Sequence, residues 1–215
     1  MKPFFVFDAY GTLFDVGSPV RRHAARVGDK SARLSELWRA KQLEYSWVLT
    51  LTGAYRNFES ITQDALEFAM ASLGIKDGAL RADLLSAWKT PECFSEAPAA
   101  LALLKSKGAK LAILSNGTPA MLESAVTAAQ IGHYFDAVLS VDQLERFKTD
   151  PECYRLATRY FGCNASEISF QSSNRWDIAG AAVFGCHTVW VNRSGAPDEY
   201  KGFGPDRVIR DLAGL

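Results

Sequence analysis

A chain of 215 residues, 48% apolar and 22% charged, has room for one globular domain, or for a core domain that carries an insertion. Its 24 basic and 24 acidic residues cancel to a formal net charge of zero, which argues against nucleic acid or an anionic membrane as the main partner. No apolar run approaches the roughly 20 residues of a membrane span, and the four cysteines show neither zinc nor redox-motif spacing, so they read as reduced thiols.

The first element is a buried strand over Phe4, Phe5, Val6 and Phe7. A continuous aromatic and β-branched run suits a strand covered on both faces, as in a parallel sheet. The run is too short for a cleavable signal and meets an acid at Asp8, so a cytoplasmic location is expected. Residues 18–90 then read as helical. Ser31 is placed to cap a long helix through residue 51, with Gly53 as its stop. A second helix covers residues 59–73 and ends at Gly74. A third covers 80–88, and Pro91 marks a boundary.

Alternation of helix and strand resumes after that block. Helices are expected over residues 98–107, 119–129 and 177–184, with a further one starting at Pro151. Strands are expected over 110–114, 137–141, 168–171 and 188–191, with a minor one at Val208 and Ile209. Asp150 followed by Pro151 is a well-matched helix start. Strand–helix units of this kind build an α/β fold, a Rossmann-like parallel sheet flanked by helices. The expected organisation is a core of residues 1–14 and 95–215 with an inserted α-helical cap over residues 15–94.

Polar residues stand at the expected strand ends. Asp8 fits either an Asx-turn closing the first strand or a carboxylate presented at the sheet's carboxyl edge, where α/β folds place ligands. The N–H groups of Ala9 and Tyr10 are free to meet an anion, and Thr12 offers a hydroxyl back toward the turn. Ser115-Asn116-Gly117 precedes a helix opened by Pro119, an anion-binding arrangement and equally an ordinary turn. Lys148 beside Asp8 would hold that carboxylate ionised. On residue type alone, a solvated lysine fits as well. Tyr154 lies a turn into the helix that follows. Ser172, Ser173, Asn174 and Asp177 follow the fourth core strand, and only one of them is an acid.

Taken together, DAYGTLFDV, LWRAKQLEYSW, LAILSNG, LSVD, FK with Tyr154 downstream, and SSNRWD resemble the L-2-haloacid dehalogenase branch of the haloacid dehalogenase superfamily. The likeness spans nearly the whole chain. It implies that Asp8 is the nucleophile, with Thr12, Ser172 and Asn174 orienting it and its water. It implies Lys148 and Tyr154 as its charged and hydroxyl partners and Asp177 as the residue tied to water activation. Ser115 and the backbone of Ala9, Tyr10 and Asn116 match a cradle for the substrate carboxylate. Arg39 and Asn116 match the halide side, and Leu43, Phe58 and Trp176 match apolar walls.

The reaction so implied is hydrolysis of short (S)-2-haloacids to (R)-2-hydroxy acids through an ester on Asp8, by a homodimer without organic cofactor. The alternative is a magnesium-dependent small-molecule phosphatase of the same superfamily. Tyr10 stands where the phosphatases carry a second Asp, and magnesium favours hard oxygen ligands including carboxylates. No metal is therefore expected. Three positions depart from the branch. Thr149 replaces a common Pro and is expected to loosen the Lys148 loop. Ala40 replaces a Gln and is expected to enlarge the pocket. Arg175 replaces a small residue and either faces solvent or adds charge at the site.

Overall fold

The computed structural model describes residues 3–215. The first two positions of the expected core segment lie outside the described residues. The chain opens with β1 (Phe4–Phe7), the predicted strand, and β2 (Phe14–Asp15). Two short helices, α1 (Ser18–Arg22) and α2 (Ala24–Val27), lead into α3 (Ser31–Thr52), α4 (Phe58–Ser72) and α5 (Gly78–Lys89). Then come β3 (Glu92–Cys93), α6 (Ala97–Ser106), β4 (Lys110–Ser115), α7 (Pro119–Ala128) and β5 (Ala137–Ser140). The chain closes with α8 (Pro151–Phe161), β6 (Ile168–Ser172), α9 (Arg175–Phe184), β7 (His187–Val191) and β8 (Arg207–Ile209).

Six strands form one sheet in the order β5-β4-β1-β6-β7-β8, and every pairing is parallel. β1 lies inside it, with Phe7 level with Ile113 of β4 and Gln171 of β6. Its buried residues need apolar cover on both faces, which the flanking helices supply. Sequence order reverses at β1, so the ends of β1, β4 and β6 flank one crevice. Asp8, Ser115 and Ser172 stand at those three ends.

The helical block is inserted between β1 and β4. β2 and β3 pair antiparallel at its base, Phe14 with Cys93 and Asp15 with Glu92. Two-residue strands carry no periodicity to read, and the sequence reading missed them. α3 packs on α4, and Trp38 Nε1 and Gln42 Nε2 donate to the backbone oxygen and hydroxyl of Thr62 across the contact. Asn57 and Asp77 cap α4 and α5 through their side chains, and Asp150 caps α8 as predicted. Ser31 does not cap α3. A 3₁₀ turn over Gly28–Lys30 leads straight into the helix, and the Ser31 hydroxyl donates to Gly28 O. α9 begins two residues earlier than predicted, at Arg175.

Candidate active site

Asp8 sits at the tip of β1 and is only 5% exposed. Its Oδ2 accepts from Thr12 Oγ1 at 3.0 Å, Asn174 Nδ2 at 2.8 Å and Ser172 Oγ at 3.4 Å. Its Oδ1 accepts from Lys148 Nζ at 3.2 Å. One oxygen is therefore held by three donors and the other by one. The orienting groups are themselves fixed. Ser173 N donates to Thr12 Oγ1 at 2.8 Å, and Asn174 N donates to Ser172 Oγ at 3.1 Å. An Asx-turn is not what Asp8 makes: its carboxylate gathers donors from the turn after β1, the end of β6 and the loop before α8.

Lys148 is fully buried, and its ammonium also donates to Asp177 Oδ2 at 2.9 Å. Burial pulls its pKa down, but Asp177 and Asp8 outweigh burial and the net direction is up. Asp177, in the first turn of α9, is equally enclosed. Burial pushes its pKa up to about 6; Lys148 opposes that rise and Asp8 adds to it. Tyr154 donates to Asp177 Oδ1 at 2.8 Å, so its hydroxyl serves Asp177 and not Asp8. The expected loosening at Thr149 is countered by two anchors. Lys148 N donates to Asn116 Oδ1 and Phe147 N donates to Thr50 Oγ1 of α3, each at 3.0 Å.

The cradle residues also converge. Ser115 is fully buried, with its Oγ accepting from Gly117 N at 3.2 Å. Among the described residues, no acceptor meets the N–H groups of Ala9, Tyr10 or Asn116. Because Asn116 Oδ1 is taken by Lys148 N, its Nδ2 is left as a donor. Arg39 comes down from α3, with Nη2 3.5 Å from both Tyr10 O and Asn174 Oδ1. Burial lowers its pKa, and Asp8, Tyr10 and Asp177 work against that. Leu43 follows Arg39 by one turn on the same face.

The Tyr10 ring turns away from the carboxylate into an aromatic cluster. It stacks on Trp88 at 5.8 Å and on Phe58 at 6.2 Å between centroids. Phe58 in turn meets Phe147, next to Lys148, at 6.0 Å. Burial raises the Tyr10 hydroxyl well above its ordinary pKa, so it stays neutral. Trp176 meets Trp47 edge-on at 5.6 Å. Trp47 was not singled out from the sequence, although it follows Arg39 by eight residues, a spacing that keeps it on that helix face.

Two departures resolve differently from expectation. Ala40 is exposed on α3 and does not enlarge the pocket. Arg175 neither faces solvent nor charges the site. It is 4% exposed, and it donates from Nε to Asp198 Oδ1 at 2.6 Å and from Nη2 to Phe203 O at 2.9 Å. These bonds tie the loop before β8 to the start of α9.

Gly180 has a role that sequence reading missed. A Cβ there would collide with the Tyr154 hydroxyl and stand 2.9 Å from Thr149 Cβ. Gly180→Ala is therefore expected to lower stability by about 1–3 kcal/mol through overpacking. Urea unfolding measures it, and an unchanged midpoint would mean that α9 and α8 part at no cost.

The haloacid dehalogenase-like hydrolase family model matches residues 4–185. (S)-2-haloacid dehalogenase 4A of Burkholderia cepacia is 45% identical over 197 residues, 91% of this chain and 85% of that protein. A solved dehalogenase with an intermediate complex superposes with a TM-score of 0.97 at 42% identity, covering 99% of this chain and 94% of the other. L-2-haloacid dehalogenase of Xanthobacter autotrophicus, solved with chloropropionic acid covalently bound, gives 0.90 at 36% identity, covering 99% and 96%.

Proposed function

The chain belongs to the haloacid dehalogenase-like hydrolases, and from that premise we propose that it hydrolyses short (S)-2-haloalkanoic acids to (R)-2-hydroxy acids and halide. One observation carries the choice of carbon over phosphorus: what meets Asp8 is a set of donors. Asn174 Nδ2 spans Asp8 Oδ2 and Tyr10 O, at 2.8 and 3.0 Å. An amide N–H thus takes the two oxygens that a hard cation beside Asp8 would need. Lys148 takes Oδ1, and the guanidinium of Arg39 stands alongside. Among the described residues, no group of three His, Cys, Asp or Glu side chains is placed to hold a metal. The phosphatase alternative also wants a second acid where Tyr10 stands.

In this reading the substrate carboxylate lies on the Ser115 hydroxyl and the N–H groups of Ala9, Tyr10 and Asn116. Asp8 Oδ1, the oxygen with a single donor, attacks C2 from the side opposite the halogen. The C2–O bond forms as the C2–halogen bond breaks, with one inversion. The leaving halide is received by the Arg39 guanidinium and Asn116 Nδ2, positive charge placed where negative charge develops. Leu43, Phe58 and Trp176 keep bulk water from the reacting centre.

The ester is then opened at Asp8 Cγ. Asp177 takes a proton from the attacking water, and charge builds on Oδ2, which Thr12, Ser172 and Asn174 already hold. The Cγ–Oδ1 bond breaks as Lys148 gives a proton to the departing alkoxide and recovers one from Asp177, so the hydroxy acid leaves with the oxygen that Asp8 contributed and both carboxylates are restored. Tyr154 keeps Asp177 in place, and Lys148 balances the two carboxylates throughout.

Residues 15–94 act here as a cap over a core of residues 1–14 and 95–215, with Arg39 delivered by the cap and Asp8 by the core. We assign the enzyme to the cytoplasm, in keeping with its four free cysteines, and to a homodimer, for which exposed Val48, Leu51 and Phe68 offer apolar surface. Among the described residues, no helix is long and apolar enough to cross a membrane. The deciding assay is halide release from each enantiomer of 2-chloropropionate with EDTA present. Release from the (S) form alone, indifferent to EDTA, is expected. Magnesium-dependent release of phosphate from a phosphorylated acid, abolished by EDTA, would reverse the ranking.

A further inference from the structure

α3 carries three side chains on one stripe, each a turn beyond the last: Arg39, Leu43 and Trp47. The stripe begins at the Asp8 end, where Arg39 meets Tyr10 O and Asn174. It ends at the edge-on pair of Trp47 with Trp176 of α9. Beyond that pair opens a cavity of about 410 Å³, lined by Trp47, Thr149, Trp176, Val183, Tyr200 and Phe203 among others. None of its lining residues is charged. Two of them adjoin the machinery in sequence: Thr149 follows Lys148, and Trp176 precedes Asp177. Its outer wall is built, not incidental. The buried Arg175 holds Phe203 O and Asp198, and its guanidinium lies over the rings of Tyr200, at 5.6 Å, and Trp190, at 5.8 Å.

We infer that this cavity takes the alkyl tail on C2 of longer (S)-2-haloalkanoic acids, with Trp47 and Trp176 as its inner rim and Tyr200 and Phe203 as its outer wall. The inference rests on the dehalogenase reading above. In that reading the carboxylate and the halogen of the substrate each have a polar end of the site. The remaining substituent on C2 needs an apolar exit, and the stripe of Leu43 and Trp47 leads to one. Each methylene buried there is expected to raise kcat/KM about fourfold, the equivalent of burying one CH₂.

The test compares kcat/KM for (S)-2-bromohexanoate and (S)-2-bromopropionate in the full-length enzyme, read as a ratio. Phe203→Asp and Val183→Asp put a carboxylate on opposite walls at positions that are half or more exposed, so neither disturbs the buried core. Each variant is expected to lower the ratio about tenfold, by charging a wall that should bury methylenes. A ratio within twofold of the parent in both variants overturns the inference. So does a parent that turns over bromopropionate but not bromohexanoate, and that outcome leaves the dehalogenase reading standing. A parent inactive on both acids brings down that reading and the tail site with it. If Phe203→Asp dissociates a dimer and leaves the ratio unaltered, the cavity is a contact between copies and the inference is wrong.

Discussion

Asp8→Asn is expected to reduce turnover of (S)-2-chloropropionate by about 10⁴-fold or more, because no other group can replace an attacking carboxylate oxygen. The amide oxygen of Asn can still accept from Thr12, Ser172 and Asn174, as Oδ2 does now. Its NH₂ would face Lys148, which already donates to Asp177 and keeps a partner. The variant should therefore fold, and circular dichroism with a melting curve checks that before the kinetics are read. The parent offers a sharper readout. In one turnover in heavy-oxygen water, the hydroxy acid should carry light oxygen, and Asp8 should gain one heavy oxygen. Direct attack of water on C2 predicts the opposite distribution, and heavy label in the first-turnover product would falsify the ester route.

The parts of this site differed in how openly the chain displayed them. Asp8 was readable because an unbroken apolar strand stops on an acid, a purely local signal. The position of β1 within the sheet was not, since it depends on pairings with residues more than a hundred positions away. Lys148 shows the same limit at the level of one side chain. Nothing local distinguishes it from a solvated lysine. It is buried because carboxylates 140 and 29 residues away meet it, and only the resemblance pointed there. Arg175 could not be placed from sequence for a related reason: its partners, Asp198 and the carbonyl of Phe203, lie in an irregular loop that no periodicity describes. Trp47 is the reverse case. Its spacing from Arg39 was on display, but a tryptophan on a helix face reads as packing until the facing element is known. Tyr10 was read as the absence of a second acid. Its ring also stacks on Trp88 and Phe58, an arrangement built from three separate segments.

Lys148→Met should act mainly through Asp177, and the pH profile should reveal it. In the parent, the step that opens the ester needs Asp177 ionised, and burial has pushed its pKa up to about 6. Activity is therefore expected to fall as pH drops through about 6. Lys148 is the influence holding that value down, so its removal moves the acidic limb to higher pH. Halide-side charge from Arg39 is untouched, yet at pH 7 kcat should still fall at least about a hundredfold, the scale of losing one preorganised charge. Stability gives an independent sign. A carboxyl whose folded pKa lies above its unfolded value binds protons more readily when folded, so stability is lost as pH rises between the two. The deficit of Lys148→Met should thus be small near pH 4 and grow as pH passes 6 and beyond. At neutral pH it should approach the roughly 3–5 kcal/mol seen when a buried ion pair loses one partner. Denaturant titrations at three pH values measure the trend, and kcat against pH measures the limb. A limb that stays at its parent position would mean that a group other than Asp177 takes the proton from water.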